Sequence, residues 1–168
     1  GSGSLTVSKA TDSPTSNIAD AATNVTLAKY TMKAVGEDIK VSAISYSALA
    51  STVTDTLKNS KILVDGTQVG TTNTTLTAGG TPNTVTTTVN FTVTAGTTKV
   101  LSIVADTTGT TAVNDTLAIT LNIGSSNGQR AIALTTFNVP SSNTSANTLT
   151  VKAGTVVTAK NAGLGDYS

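Results

Sequence analysis

Residues 84–106, TVTTTVNFTVTAGTTKVLSIVAD, carry the clearest pattern of apolar and polar positions in the chain. Val85, Val89, Phe91 and Val93 share one parity, while Thr86, Thr88, Asn90, Thr92 and Thr94 take the other. A period of two with one dry and one wet face is that of a half-buried strand. Residues 95–98, centred on Gly96, turn the chain, and residues 99–106 return as a second apolar strand. Such a hairpin does not bury its apolar face unaided, so the rest of the chain must supply an opposing layer.

The same alternation recurs on both sides. Residues 5–7 open a first strand, and a Thr/Asp/Ser/Pro loop runs to Asp20. In residues 25–35, Val25 and Leu27 share one parity and Tyr30, Met32 and Ala34 the other, which predicts a β-bulge near Ala28 and Lys29. Residues 36–38 turn and residues 39–46 return. Residues 47–59 are polar and irregular, with Leu49, Val53 and Leu57 at a four-residue spacing that hints at a helical turn. Asp65-Gly66 between residues 61–64 and 67–70 is a two-residue hairpin signal. Residues 71–84 and 107–114 are expected to be loops. Residues 116–123 form a strand with Leu117, Ile119, Leu121 and Ile123 inward. A turn at 124–128 leads into a strand at 131–139, where Ile132 and Leu134 give way to Phe137 and Val139 across a second bulge. Residues 141–147 resemble a linker, and 148–160 end the β pattern.

About nine or ten short strands spaced near ten residues apart predict an all-β fold, an antiparallel sandwich of two sheets. Its inward residues are small and aliphatic, which suits two layers about 10 Å apart. A chain of 168 residues is long enough for one sizeable core. Three segments follow: 1–4 as a linker-like lead, 5–151 as the β domain, and 152–168 as a C-terminal extension.

Composition narrows the function. Cysteine and histidine are absent and Glu37 is the only glutamate. That removes the thiol nucleophile, the imidazole base, the usual zinc ligands and any disulfide. No catalytic residue, cofactor site or metal site is expected. Charged residues are 11% of the chain, against about 25% in ordinary globular domains. A net charge of +1 with 3% aromatics argues against nucleic acid. No apolar run approaches the roughly 18 residues of a membrane span. About a fifth of the 168 residues are threonine, whose β-branched hydroxyl side chain suits a wet sheet face. A surface of Thr, Ser and Asn instead of Lys and Glu points to an extracellular, cell-surface location.

Read in order, TNVTLAKYTMKAVGEDIKVSAISY, KILVDGTQVG and TVNFTVTAGTTKVLSIVADTT resemble the Thr-rich immunoglobulin-like modules of prokaryotic surface-layer, adhesin and fibre-forming proteins. The resemblance spans most of residues 5–151 and rests on strand–turn–strand motifs. It implies an immunoglobulin-like sandwich with a scaffolding or adhesive role, and it carries no catalytic signature. The antibody-type Cys–Trp–Cys core has no counterpart, since neither residue occurs.

Several constellations invite chemistry. Glu37, Asp38, Asp55, Asp65, Asp106 and Asp115 fall at predicted turns, where acids are common; a calcium site needs about six to eight oxygens converging on one point. Lys29, inside an apolar strand, is a candidate for an isopeptide link with Asn90 or Asn122, if the bulge does not turn it to solvent. Five N-x-[ST] sequons occur, and Asn24, Asn73 and Asn143 are the glycan acceptors expected on loops. Thr86, Thr88, Thr92 and Thr94 line one face, in the manner of a flat ice-binding array, but Asn90 interrupts it and ordinary sheets twist.

The expected function is that of a structural module in a filament, stalk or surface layer, partnered by copies of itself or neighbouring modules. The alternative is an adhesin or carbohydrate-binding module, which the scarcity of aromatics weakens. The termini supply the motive for assembly. Ser4-Leu5-Thr6-Val7 is echoed by Thr148-Leu149-Thr150-Val151, and Val156 and Val157 form an apolar pair beyond the echo. Leu5, Val7, Val156 and Val157 are therefore the candidates for a strand shared between subunits.

Overall fold

The computed structural model describes residues 3–50, 55–81, 83–111 and 113–153. Twelve strands and no helix occur among them. They are β1 (Ser4–Lys9), β2 (Ser16–Ala19), β3 (Val25–Val35), β4 (Ile39–Ala50), β5 (Asp55–Val64) and β6 (Thr67–Gly79). β7 (Thr84–Val93), β8 (Thr98–Thr110), β9 (Thr116–Leu121), β10 (Gly128–Arg130), β11 (Thr136–Phe137) and β12 (Thr144–Lys152) complete the set.

One hydrogen-bonded path joins them in the order β1-β3-β8-β5-β6-β4-β9-β12-β2, with β7 and β10 also on β4 and β11 on β10. Most pairs are antiparallel, but β12 with β2 and the end of β6 with β4 are parallel, so the sheet is mixed. It curls until β12, near one end of the path, packs against β1 and β3 at the other. Buried tyrosines reach across the interior. The Tyr30 hydroxyl on β3 donates to the Ile119 carbonyl on β9 at 3.3 Å, and the Tyr46 and Ser60 hydroxyls meet at 2.8 Å.

The dry faces meet in one continuous cluster that runs in sequence from Ile18 to Val151. Leu27, Ile44, Ile62, Leu101 and Leu121 in it are fully buried. Each such aliphatic side chain contributes roughly 1.5–3 kcal/mol by leaving water. Of the inward set predicted from the pattern, Val89, Val93, Leu117, Ile119 and Leu121 are buried, and Phe91 packs half-buried against them. The bulge expected near Ala28 is present, as a register shift between Thr26 and Ala28.

Other expectations give way. The hinted helical turn is strand: β4 continues through Leu49, and Leu57 is buried in β5, while Val53 lies outside the described residues. The loops expected at 71–84 and 107–114 are largely strand, since β6 extends to Gly79 and β8 to Thr110. Threonine-rich polar runs are compatible with a pleat as long as a paired neighbour supplies the ladder. The linker-like stretch at 141–147 begins β12, and the early loop contains β2. Ile123, expected inward, is 48% exposed, because β9 ends at Leu121. The strand expected at 131–139 is a hairpin of β10 and β11 whose tip exposes Ile132 and Leu134.

The register fixes which ends of the strands lie together. Ser4 opens β1 opposite Val35, and Ile39 opens β4 opposite Val93 and Arg130. This is the head of the molecule. At the far end of β4, Ala50 faces Leu117, Thr116 faces Thr150, and Lys152 closes β12 beside Ala19. This is the tail. The 12 residues of β4 span the two ends, about 40 Å at a strand rise of ~3.3 Å per residue. The start of β1 therefore lies at the head and the end of β12 at the tail.

Candidate functional site

The head is built around Glu37. This side chain is 5% exposed, and its carboxylate gathers three backbone N–H groups from two distant segments. Ile132 and Ala133 donate to Oε1 at 2.6 and 3.1 Å, and Gly3 donates to Oε2 at 3.2 Å. Those bonds, with the Ile132 N–H foremost and Arg130 nearby, outweigh desolvation and hold the carboxyl below the usual carboxylate range. Arg130 completes the clamp. Its Nε donates to the Gly3 carbonyl at 2.6 Å and its guanidinium lies 4.5 Å from the centre of the Phe137 ring. A Cβ on Gly3 would sit 2.2 Å from Glu37 Cγ, so only glycine permits this approach. Gly3, which the sequence places in a linker, is thus buried and anchored at both its N–H and its carbonyl.

The clamp fixes a tip that is apolar and wet. Ile132 is 79% and Leu134 66% exposed, and Val35 at the same end is 52% exposed. Leu134 also has φ 60°, the left-handed region that costs a branched residue strain. Sequence periodicity placed both side chains in the core. The signal that pointed elsewhere is the solitary Glu37, the only glutamate among nine acidic residues.

Four of the aspartates are held by backbone or amide N–H donors of their own. Asp38 Oδ1 accepts from the Ala95 N–H at 2.8 Å, Asp65 Oδ1 from that of Val100 at 2.8 Å, and Asp115 Oδ1 from that of Thr116 at 3.0 Å. Asp106 takes the Asn59 amide on Oδ2 and the Asn24 N–H on Oδ1, both at 2.8 Å. The Asn59 bond is the largest of the influences that hold Asp106 below the ordinary range. No group of three or more His, Cys, Asp or Glu side chains comes together among the described residues, and no cavity opens among them.

Lys29 meets Asp12, Nζ to Oδ2 at 3.1 Å, on the partly exposed outer side of β3; neither Asn90 nor Asn122 is its partner. Asn73 donates its amide to the Tyr46 hydroxyl at 2.9 Å and to Thr87 Oγ1 at 2.8 Å, so a glycan on Nδ2 would have to displace at least one of these bonds. Asn24 and Asn143 are exposed; Asn24 Oδ1 receives Lys61 Nζ at 2.7 Å and Asn143 Oδ1 receives the Ile123 N–H at 2.7 Å. Beside the threonines of β7, the register sets Ser45, Ala43 and Lys40 of β4 against Thr86, Thr88 and Thr92, so β4 adds no second threonine rank.

Leu5 and Val7 pair within the same chain, opposite Ala34 and Met32, and pack half-buried against the core. Val156 and Val157 lie outside the described residues. Leu149 and Val151 of the echo are buried in β12.

No protein-family model matches this sequence, and no curated protein matches it significantly.

Proposed function

We propose that this chain is a non-enzymatic structural module of an extracellular surface assembly (a filament, stalk or surface layer), joined to its neighbours through its two ends. We read the curled sheet as a variant of the immunoglobulin-like sandwich, its two halves facing each other across Tyr30 and Tyr46. The observation that carries the reading is the placement of the start of β1 and the end of β12 at opposite ends of β4. A module built so adds length when repeated, whether its neighbours are separate copies or successive units of one chain. A contact of that kind does not close on itself.

In strand exchange, the place of β1 on β3 is filled by the same segment of a neighbour. β1 is suited to this because it holds the fold from the edge of the path. The low charge and the hydroxyl-rich faces of β6 and β7 support an extracellular setting in which salt and pH vary.

Deletion of residues 5–9, or separately of 155–160, tests the reading by analytical ultracentrifugation and melting. Loss of association is expected in both, and a synthetic peptide of residues 3–10 should restore the melting temperature of the first. If both truncated chains sediment and melt like the full chain, the termini do not join modules and the reading falls.

A further inference from the structure

β1 is held on β3 by two unlike means. Along its length it pairs with Tyr30 to Val35, and its inward side chains, Leu5 and Val7, are only half-buried. A contact of this kind fixes parity and little else. A slip of one residue turns Leu5 and Val7 to solvent, but a slip of two keeps the alternation intact. At the head the contact is polar and close. The Gly3 N–H donates to Glu37 Oε2 at 3.2 Å and the Gly3 carbonyl accepts Arg130 Nε at 2.6 Å. A Cβ at this place would lie 2.2 Å from Glu37 Cγ and 3.2 Å from the Glu37 nitrogen. Glu37 has no room to swing aside, because the Ile132 and Ala133 N–H groups hold its other oxygen.

A second segment of the chain offers β3 nearly the same strand. Thr148-Leu149-Thr150-Val151 repeats the alternation of Ser4-Leu5-Thr6-Val7, and in that alignment Asn147 falls where Gly3 stands. The inward residues are leucine and valine in both, so ladder and apolar contacts do not tell the two apart. The clamp does, because asparagine brings a Cβ onto Glu37 Cγ and glycine does not. In the fold the echo lies in β12, between β9 and β2, and the Asn147 amide donates to the carbonyls of Ser13 and Pro14 at 3.3 and 3.1 Å.

We propose that Glu37 and Arg130 form a strand-end receptor that admits to β3 only a segment with glycine two residues before its first inward side chain. The segment that fits is residues 3–9, from the same chain or from a second copy. The receptor reads the N–H and carbonyl of Gly3 and excludes a side chain there. It also sets register, since a slip that brings Leu5 to the place of Gly3 drives a side chain into Glu37. This deepens the reading of the chain as an end-joined module: a neighbour's segment that takes the place of β1 has to pass the same clamp.

The test uses the full chain carrying Gly3→Ala and Thr6→Pro, which loosen its own β1 and leave Glu37 and Arg130 in place. Proline at Thr6, the partner of Lys33, breaks the ladder on β3. Acetylated peptides with a fluorophore at the C-terminal end are titrated against it and read by anisotropy. They are residues 3–12, the same peptide with Gly3→Ala, residues 147–156, and the latter with Asn147→Gly. The Gly3 peptide should bind about tenfold or more tighter than its Gly3→Ala form, which loses hydrogen bonds to charged groups. Asn147→Gly should raise the affinity of the echo peptide by a similar factor, a gain that no general weakening of the fold produces. Adding Glu37→Ala to the chain removes the colliding Cγ and should abolish both differences. Equal binding within each pair, differences that survive Glu37→Ala, or no binding of any peptide overturns the inference. If the doubly substituted chain does not fold, hydrogen exchange decides: Gly3→Ala alone should speed exchange of the β1 amides and leave those of β9 as in the parent, and unchanged β1 exchange overturns the inference. The truncations at 5–9 and 155–160 separate the two claims. If they abolish association while the peptides bind without selectivity, the joined-module reading stands and the receptor falls. If the peptides are selected while the truncations change nothing, the receptor stands and the joined-module reading falls.

Discussion

The side chain of Asn127 pairs with the backbone of Val139 as a strand residue would. Nδ2 donates to the Val139 carbonyl at 2.6 Å, and the Val139 N–H donates to Oδ1 at 2.8 Å. The other amide hydrogen goes to the Ala43 carbonyl at 2.6 Å, and the Asn127 carbonyl accepts the Ser42 N–H at 2.9 Å. One buried side chain thus ties the middle of β4 to the segments on both sides of the β10–β11 hairpin. A Cβ on Gly124 would lie 2.1 Å from Asn127 Oδ1, so the glycine leaves room for the knot.

Asn127→Ala strands the Val139 N–H and carbonyl away from water. Each unsatisfied buried group costs about 1–3 kcal/mol. Asn127→Asp should be worse, since it turns a carboxylate toward two carbonyls. Urea unfolding should show a lower midpoint at unchanged slope for Ala and a lower one still for Asp. An unchanged midpoint for both would mean that the knot does not hold the hairpin.

Glu37 makes stability depend on acid. Its carboxyl titrates below the ordinary range in the fold, through the N–H groups of Ile132, Ala133 and Gly3, and near pH 4.3 in the unfolded chain. The unfolded state therefore binds more protons between those values, and stability rises with pH across them. The stabilisation is present above about pH 4.3 and is lost as pH falls through the folded value. Asp106, likewise depressed through Asn59 and Asn24, acts in the same direction at the other end. Glu37→Gln should flatten the dependence of the urea midpoint on pH between about 2 and 5. A variant with the parent's slope would show that Glu37 is not the titrating group.

How far the sequence speaks for the fold depends on what each segment has to bury. Where a strand has one dry and one wet face, parity is decisive, and β7 and β9 are legible residue by residue. Ile132 and Leu134 mislead because periodicity reports hydrophobicity and not its destination. The hairpin around them is set by Glu37, 95 residues from Ile132, which no local pattern contains. The extension of β6 through TTNTTLTAG is hidden for the opposite reason. Threonine reads as loop in isolation and becomes strand only when β5 is there to pair with it. Of the head, the glutamate was visible in composition and the exposed tip was not.

Ile119 tests the core itself. It is 1% exposed on β9, opposite Ala48, and its own carbonyl receives the Tyr30 hydroxyl. Truncation to alanine leaves a cavity between the two halves of the sheet and should cost on the order of 2–5 kcal/mol. Denaturant unfolding should show that loss with far-ultraviolet circular dichroism still of β type. A loss well under 1 kcal/mol would mean that the two halves do not close on this residue.

Tyr30 makes the matching prediction at alkaline pH. Its ring is fully buried, and desolvation drives its hydroxyl well above the ordinary tyrosine value. In the unfolded chain the same group ionises near pH 10. Above that pH the folded state binds the extra proton, so stability is fully present below about pH 10 and falls as pH rises beyond it. Tyrosinate absorbance followed through an alkaline titration should therefore include a component that appears only as the protein unfolds. Tyr30→Phe should remove that component and extend the folded range upward. It should cost about 0.5–1.5 kcal/mol at neutral pH, where the 3.3 Å bond to the Ile119 carbonyl is lost. If every tyrosine instead ionises while circular dichroism still reports the native sheet, water reaches Tyr30 and the two halves do not seal the interior between β3 and β9.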